Sequence, residues 1–286
     1  TIYLCDARMS KVNISKSFVV PFLGIFIFSQ LLTLVLTLYL LPQDIQLTIV
    51  DSNPNSIWNA VFLVAYIILV TALILVLSKI FKSGNYLFLI EALALFSGLF
   101  FVFSILLSRP LAFLCAFYLL VVKYVIKKDS TLSKWYNNLL LAVAIACASA
   151  ILGLGLGILP VVVLLVLLAI YDIISVFYTK HMVTLANMII KKKVSLIFVL
   201  PSKKREYRLG GGDIVMPGLL SVSLFAYLLP THNLLFSVFG VVCVWLASLL
   251  GLSITFYILD KYKGKINALP ALPIQVILMC IVVLCF

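Results

Sequence analysis

Two aspartates stand in apolar surroundings where a charge is costly. Asp172 lies within the run 161–179 (VVVLLVLLAIYDIISVFYT), and Asp213 within 209–220 (LGGGDIVMPGLL), which opens another apolar stretch. An ionisable group inside a membrane-spanning segment costs several kcal/mol, so by default it marks a functional site. Two such groups on successive segments suggest a pair. Paired carboxylates share one proton and can hydrolyse an amide: the ionised member takes a proton from the attacking water, and the protonated member donates to the developing oxyanion. Because the two acids titrate as a coupled unit, the rate is expected to follow that titration, and a flat pH profile would count against the reading.

The elements that must position these acids are written in the composition. Of 286 residues, 65% are hydrophobic and 10% are charged, with mean hydropathy +1.27. Soluble domains are roughly 45–50% apolar and about 25% charged. Apolar runs of about 20 residues recur along the chain, the length that crosses a hydrocarbon core of about 30 Å. These features exclude a soluble single-core fold and predict an all-α polytopic membrane protein. The net charge of +12 would suggest a nucleic-acid partner in a soluble protein. Here the bases lie in short loops and lack an interleaved aromatic platform, so topology explains them better than nucleic acid does. Six cysteines form no CxxC, and His181 and His232 fall in different loops, so the pattern signals no metal site, cofactor or disulfide framework. The first apolar run is too long for a cleavable signal peptide and lacks a small-residue cleavage motif.

Apolar segments read at about 17–41, 57–78, 86–107, 110–126, 138–158, 160–179, 212–229, 234–258 and 268–286 predict nine transmembrane helices. Pro110 and Pro160 suit first-turn positions, where a missing N–H costs nothing. With nine crossings, every lysine and arginine except Arg109 falls on one side of the membrane. Basic residues favour cytoplasmic loops, so the N-terminus is expected in the cytoplasm and the C-terminus outside. Eight or ten crossings would destroy this segregation. The chain reads as one domain over 1–286 in the cell membrane. Its N-terminal helices occupy about 17–158, and the acid-bearing helices about 160–286.

One loop is long. Residues 180–208 (KHMVTLANMIIKKKVSLIFVLPSKKREYR) are basic and amphipathic; the first half suits a helix lying on anionic lipid headgroups. The second half holds 194–200, a β-prone run that includes Leu196 and Ile197 and suits a strand. Gly153, Gly155 and Gly157 end the fifth segment and permit close helix approach. Glu91, near the inner end of the third segment, suits a helix-packing or interfacial role.

Orientation fixes the depth of the acids. Asp172 lies 8 residues before Lys180, about 12 Å from the cytoplasmic edge at 1.5 Å per residue, and Asp213 lies 5 residues after Arg208, about 8 Å from it. Adjacent helices can therefore bring the two together in the cytoplasmic third. Gly210, Gly211 and Gly212 precede Asp213 and let a backbone approach and the chain leave helical geometry. Tyr171 can donate a hydrogen bond or form a pocket wall, although neighbours on a helix point about 100° apart. Pro270 and Pro273 open the ninth segment at a similar depth and disfavour regular helix there. Irregular backbone at membrane depth lines protein or a hydrated cavity, so these elements predict one cavity facing the cytoplasm.

Tyr171-Asp172, the GxGD sequence at Gly210–Asp213, and Pro270-Ala271-Leu272 together resemble the YD, GxGD and PAL motifs of presenilins and signal peptide peptidases. Their order, their spans and the nine-span total resemble that family, and the small size is most similar to archaeal presenilin homologues. The resemblance implies an intramembrane aspartyl protease that cuts the transmembrane helix of a substrate protein. Asp172 and Asp213 would be its dyad, and Pro270, Ala271 and Leu272 would shape the site. A cytoplasmic N-terminus matches presenilins, whereas signal peptide peptidases resemble the inverse. Cutting a helix requires unwinding it, and 194–200 is expected to pair with the unwound substrate by β-augmentation. Two other readings use the same acids. A proton-coupled transporter or cation leak channel could use the pair, but no internal repeat is visible. Type IV prepilin peptidases resemble GxGD enzymes but usually carry a basic residue two positions after the motif, where this chain has Val215. The substrate, cleavage register and oligomeric state are not written in the sequence.

Overall fold

The computed structural model describes residues 2–5, 16–43, 51, 53–80, 85–126, 130–179, 197–201, 206–261 and 268–286. Among them are nine α-helices: α1 Lys16–Leu40, α2 Ile57–Ile80, α3 Asn85–Leu106, α4 Arg109–Val125, α5 Thr131–Gly155, α6 Ile158–Ile173, α7 Gly212–Leu228, α8 Leu234–Lys261 and α9 Leu272–Val283. They follow the nine apolar runs of the sequence. Six of them (α1, α2, α3, α5, α6 with its extension to Tyr178, and α8) are long and apolar enough to cross a membrane by length and composition. Helices α7 and α9 are apolar but shorter. Each follows directly on a β-strand, so the chain reaches both in extended form.

Local chemistry sets most boundaries. Helix α5 starts at Thr131 rather than near 138 because Ser130 caps it, its side chain accepting from the Ser133 amide; such a cap satisfies one of the orphan donors of the first turn. Pro110 falls in the first turn of α4, and Pro160 is the third residue of α6. Apolar helices gain little from burial against one another in lipid, so close packing through small residues matters more. Gly153 illustrates this. A Cβ there would come within 2.6 Å of Val222 Cβ and 2.7 Å of the Leu219 carbonyl, so its absence lets α5 and α7 touch. Helix α5 is the most buried of the six long helices and packs on α1, α3, α7 and the sheet.

The sheet departs from the expected all-α architecture. Strands β1 Ile2–Cys5, β2 Ile197–Pro201, β3 Glu206–Gly210 and β4 Ala268–Leu269 pair antiparallel in the order β2-β3-β1-β4. Ile2 stands opposite both Leu209 and Leu269. The opening segment thus joins the strand that leads into α7 to the strand that leads into α9. At the other edge, Asn138 of α5 holds β2 by two bonds: its Nδ2 donates to the Val199 carbonyl at 2.8 Å, and Val199 N–H donates to its Oδ1 at 3.0 Å. Phe198, Leu200 and Leu209 are buried with Leu140, Leu141 and Phe26 beneath the sheet.

Glu91 packs between helices: it is 1% exposed and forms an ion pair with Lys123 in the last turn of α4. Lys123, which by sequence reads as a loop base, is itself buried, and its Nζ sits 4.9 Å from the centroid of the Tyr124 ring.

Candidate active site

Asp172 is the penultimate residue of α6 and 6% exposed. Immediately after it the helix widens into a π turn over Ile174–Tyr178, and the Thr179 amide reaches back to the Ile174 carbonyl at 3.0 Å. Such widened turns inside helices are frequent at functional sites. Ser175 Oγ donates to the Asp172 carbonyl at 3.0 Å. On its apolar side α6 packs Leu164, Leu165 and Leu168 with Leu219, Leu220 and Leu224 of α7. That contact brings the two acid-bearing helices side by side.

Asp213 enters α7 as its second residue and is 2% exposed. The strand β3 ends at Gly210, paired with Ile197, and Gly211 already has helical angles, so the chain turns from strand to helix over the glycines. Gly212 is exposed, and a Cβ there would meet nothing within 4 Å. Among the described residues, none makes a close approach at that glycine. Asp172 and Asp213 lie near enough for their carboxyl groups to interact electrostatically.

The other sequence-derived residues divide into two groups. Pro270, Ala271 and Leu272 are buried between β4 and α9, and α9 packs on α6, α7 and α8, so this motif belongs to the same helix cluster as the acids. Ile197 begins β2 and is buried opposite Gly210. Tyr171 interacts electrostatically with Asp172 beside it, and its side chain shares a hydrogen bond with Thr71 of α2. Leu196 and the first half of the 180–208 loop fall outside the described residues.

Three polar residues that sequence reading passed over converge on the start of α7. Gln275 Nε2 of α9 donates to the Asp213 carbonyl at 3.2 Å, Gln30 Nε2 of α1 to the Ile214 carbonyl at 2.9 Å, and Ser149 Oγ of α5 to the Val215 carbonyl at 3.1 Å. A signal for one of them, Gln275, existed in Pro217, a proline inside α7 that leaves the carbonyl four residues earlier, that of Asp213, in want of a donor.

The arrangement can be compared with known proteins. Residues 23–208 match the family described as signal-peptide peptidase, presenilin aspartyl protease. That match takes in Asp172 and ends just before the GxGD sequence. No curated protein sequence matches the chain. Two solved structures of a presenilin family intramembrane aspartate protease, in space groups P2 and C222, are each 24% identical to it. The P2 structure superposes with a TM-score of 0.61 over 92% of this chain and 96% of that one. The C222 structure gives 0.63 over 93% and 97%. At that identity the likeness is one of fold.

Proposed function

The chain belongs to the signal-peptide peptidase and presenilin family of aspartyl proteases, and from that membership we propose that Asp172 and Asp213 are its catalytic pair. The protein is a multi-pass membrane protein and an aspartic endopeptidase that hydrolyses peptide bonds within transmembrane segments. Membership in a protease family leaves the transport reading without support.

One observation carries the assignment. Two buried carboxyl groups from neighbouring helices lie within electrostatic reach of each other, each where its helix leaves regular geometry. In the proposed mechanism one of the two acids acts ionised and the other protonated. The ionised carboxylate takes a proton from water as it attacks the scissile carbonyl, the other acid donates to the oxyanion, and a proton then passes to the leaving amine. Gly210, Gly211 and Gly212 leave room for the substrate backbone beside Asp213. Pro270, Ala271 and Leu272 form the facing wall, and Tyr171 lines the site beside Asp172.

Substrate pairing through a strand stays part of the proposal, with Leu196 and Ile197 in the run that meets the unwound substrate. Asn138 engages Val199 of β2, and among the described strands β4 forms the other edge of the sheet. The nine-crossing topology, with a cytoplasmic N-terminus and a single domain in the cell membrane, rests on the segregation of basic residues. The 180–208 loop meets anionic headgroups on the same argument.

The test is reconstitution of the purified protein with a single-span peptide, with cleavage followed by mass spectrometry. Cuts inside the span are expected from the wild type and from neither Asp172→Ala nor Asp213→Ala. Undiminished cutting by either variant removes that residue from the pair.

A further inference from the structure

Pro217 lacks an amide hydrogen, so α7 offers no backbone donor to the carbonyl four residues earlier, which is that of Asp213. A buried carbonyl left without a donor is costly. Gln275 of α9 supplies that donor. We propose that Gln275 is a positioning residue for the hydrolysis: its side-chain amide replaces the hydrogen bond that Pro217 removes and so fixes where Asp213 begins its helix. The inference rests on Asp213 being one of the catalytic pair.

Gln275 makes this contact through its amide nitrogen, while its Oε1 is buried without a hydrogen-bond partner among the described residues. The residue is fully buried, and Nε2 spends both of its hydrogens, one on the Asp213 carbonyl at 3.2 Å and one on Ser248 Oγ at 3.0 Å. Among uncharged side chains, only a primary amide can make both donations from one atom. Its location is set by Gly251 of α8, where a Cβ would fall 2.8 Å from Gln275 Cα and 3.0 Å from its backbone nitrogen. Without that Cβ, α9 lies against α8 and the amide is held one turn along from the crossing.

Gln30 and Ser149 provide an internal contrast. They donate to the carbonyls of Ile214 and Val215, for which Gly218 and Leu219 stand four residues on with amide hydrogens of their own. A second missing Cβ, at Gly218, admits them: it would lie 2.8 Å from Ser149 Oγ and 3.2 Å from Gln30 Oε1. These two side chains add to an existing supply of donors, whereas Gln275 replaces a missing one.

The experiment uses the full chain in the reconstituted cleavage assay. Gln275→Leu is expected to lower kcat about 10- to 100-fold, as a small misplacement of a reacting group does, with KM within about twofold. Pro217→Ala restores a backbone donor to the Asp213 carbonyl, so in that background Gln275→Leu should cost less than about threefold. An equal loss in both backgrounds overturns the proposal, because it means that Gln275 acts through packing alone. Should Pro217→Ala not fold, Gln30→Leu decides: Gln275→Leu must lose at least about fivefold more kcat than Gln30→Leu at matched unfolding midpoints, and equal losses overturn it. Wild-type kcat in Gln275→Leu with Asp213→Ala inactive overturns this inference alone. Normal cleavage by Asp213→Ala overturns the catalytic assignment instead.

Discussion

Replacing Asn138 by leucine tests whether the sheet is held in place by a side chain that imitates a strand. The amide of Asn138 makes two hydrogen bonds with one residue, Val199, at 2.8 and 3.0 Å, and Asn138 is 2% exposed. Leucine fills similar space but can neither donate nor accept. The variant therefore loses two bonds and leaves a half-buried N–H and C=O on an edge strand with no partner. At about 1–3 kcal/mol for each orphaned group, and taking the lower part of that range for a half-buried residue, the loss is about 2–4 kcal/mol. Asn137→Leu is the control, since among the described residues the Asn137 Nδ2 reaches only Ser133 Oγ, at 3.5 Å; its expected cost is below about 1 kcal/mol. Unfolding of both variants in mixed micelles by titration with SDS, followed by circular dichroism, measures the difference. If Asn138→Leu is no less stable than Asn137→Leu, the argument that Asn138 secures the β2 edge is wrong.

Two further expectations are independent of it. Glu91→Gln leaves the Lys123 ammonium buried and is expected to destabilise the protein by about 3–5 kcal/mol in the same titration, whereas Glu91→Leu combined with Lys123→Met stays near the wild type. For topology, with the native cysteines removed, Thr231→Cys should react with an impermeant maleimide on intact cells and Thr131→Cys only after permeabilisation; the opposite pattern refutes a cytoplasmic N-terminus.

The parts of the molecule legible in the sequence are those whose signal is local. Apolar runs located nine helices, Pro110 and Pro160 sat in first turns, and the two acids were conspicuous because a carboxylate in an apolar run has few cheap explanations. Helix α5 began earlier than its hydrophobicity because a serine cap, not an apolar residue, starts it. The sheet was harder. A β-prone run at 194–200 was visible, but a strand needs a partner, and β1 is four residues whose partners lie near the far end of the chain. Glu91 and Lys123 are likewise joined across two helices, with nothing in the local pattern of either to show the other. Gln275 marks the limit most sharply. Pro217, four residues after Asp213, announces that one carbonyl lacks a donor, but which of the chain's many polar groups supplies it is decided by how α8 and α9 cross at Gly251.

The pairing of Ile2 with both Leu209 and Leu269 bears on how the protein folds as well as on its shape. Closing loops of that length carries an entropic cost that the finished sheet must offset. The strand that couples the entry of α7 to the entry of α9 therefore does so through contacts that are slow to form.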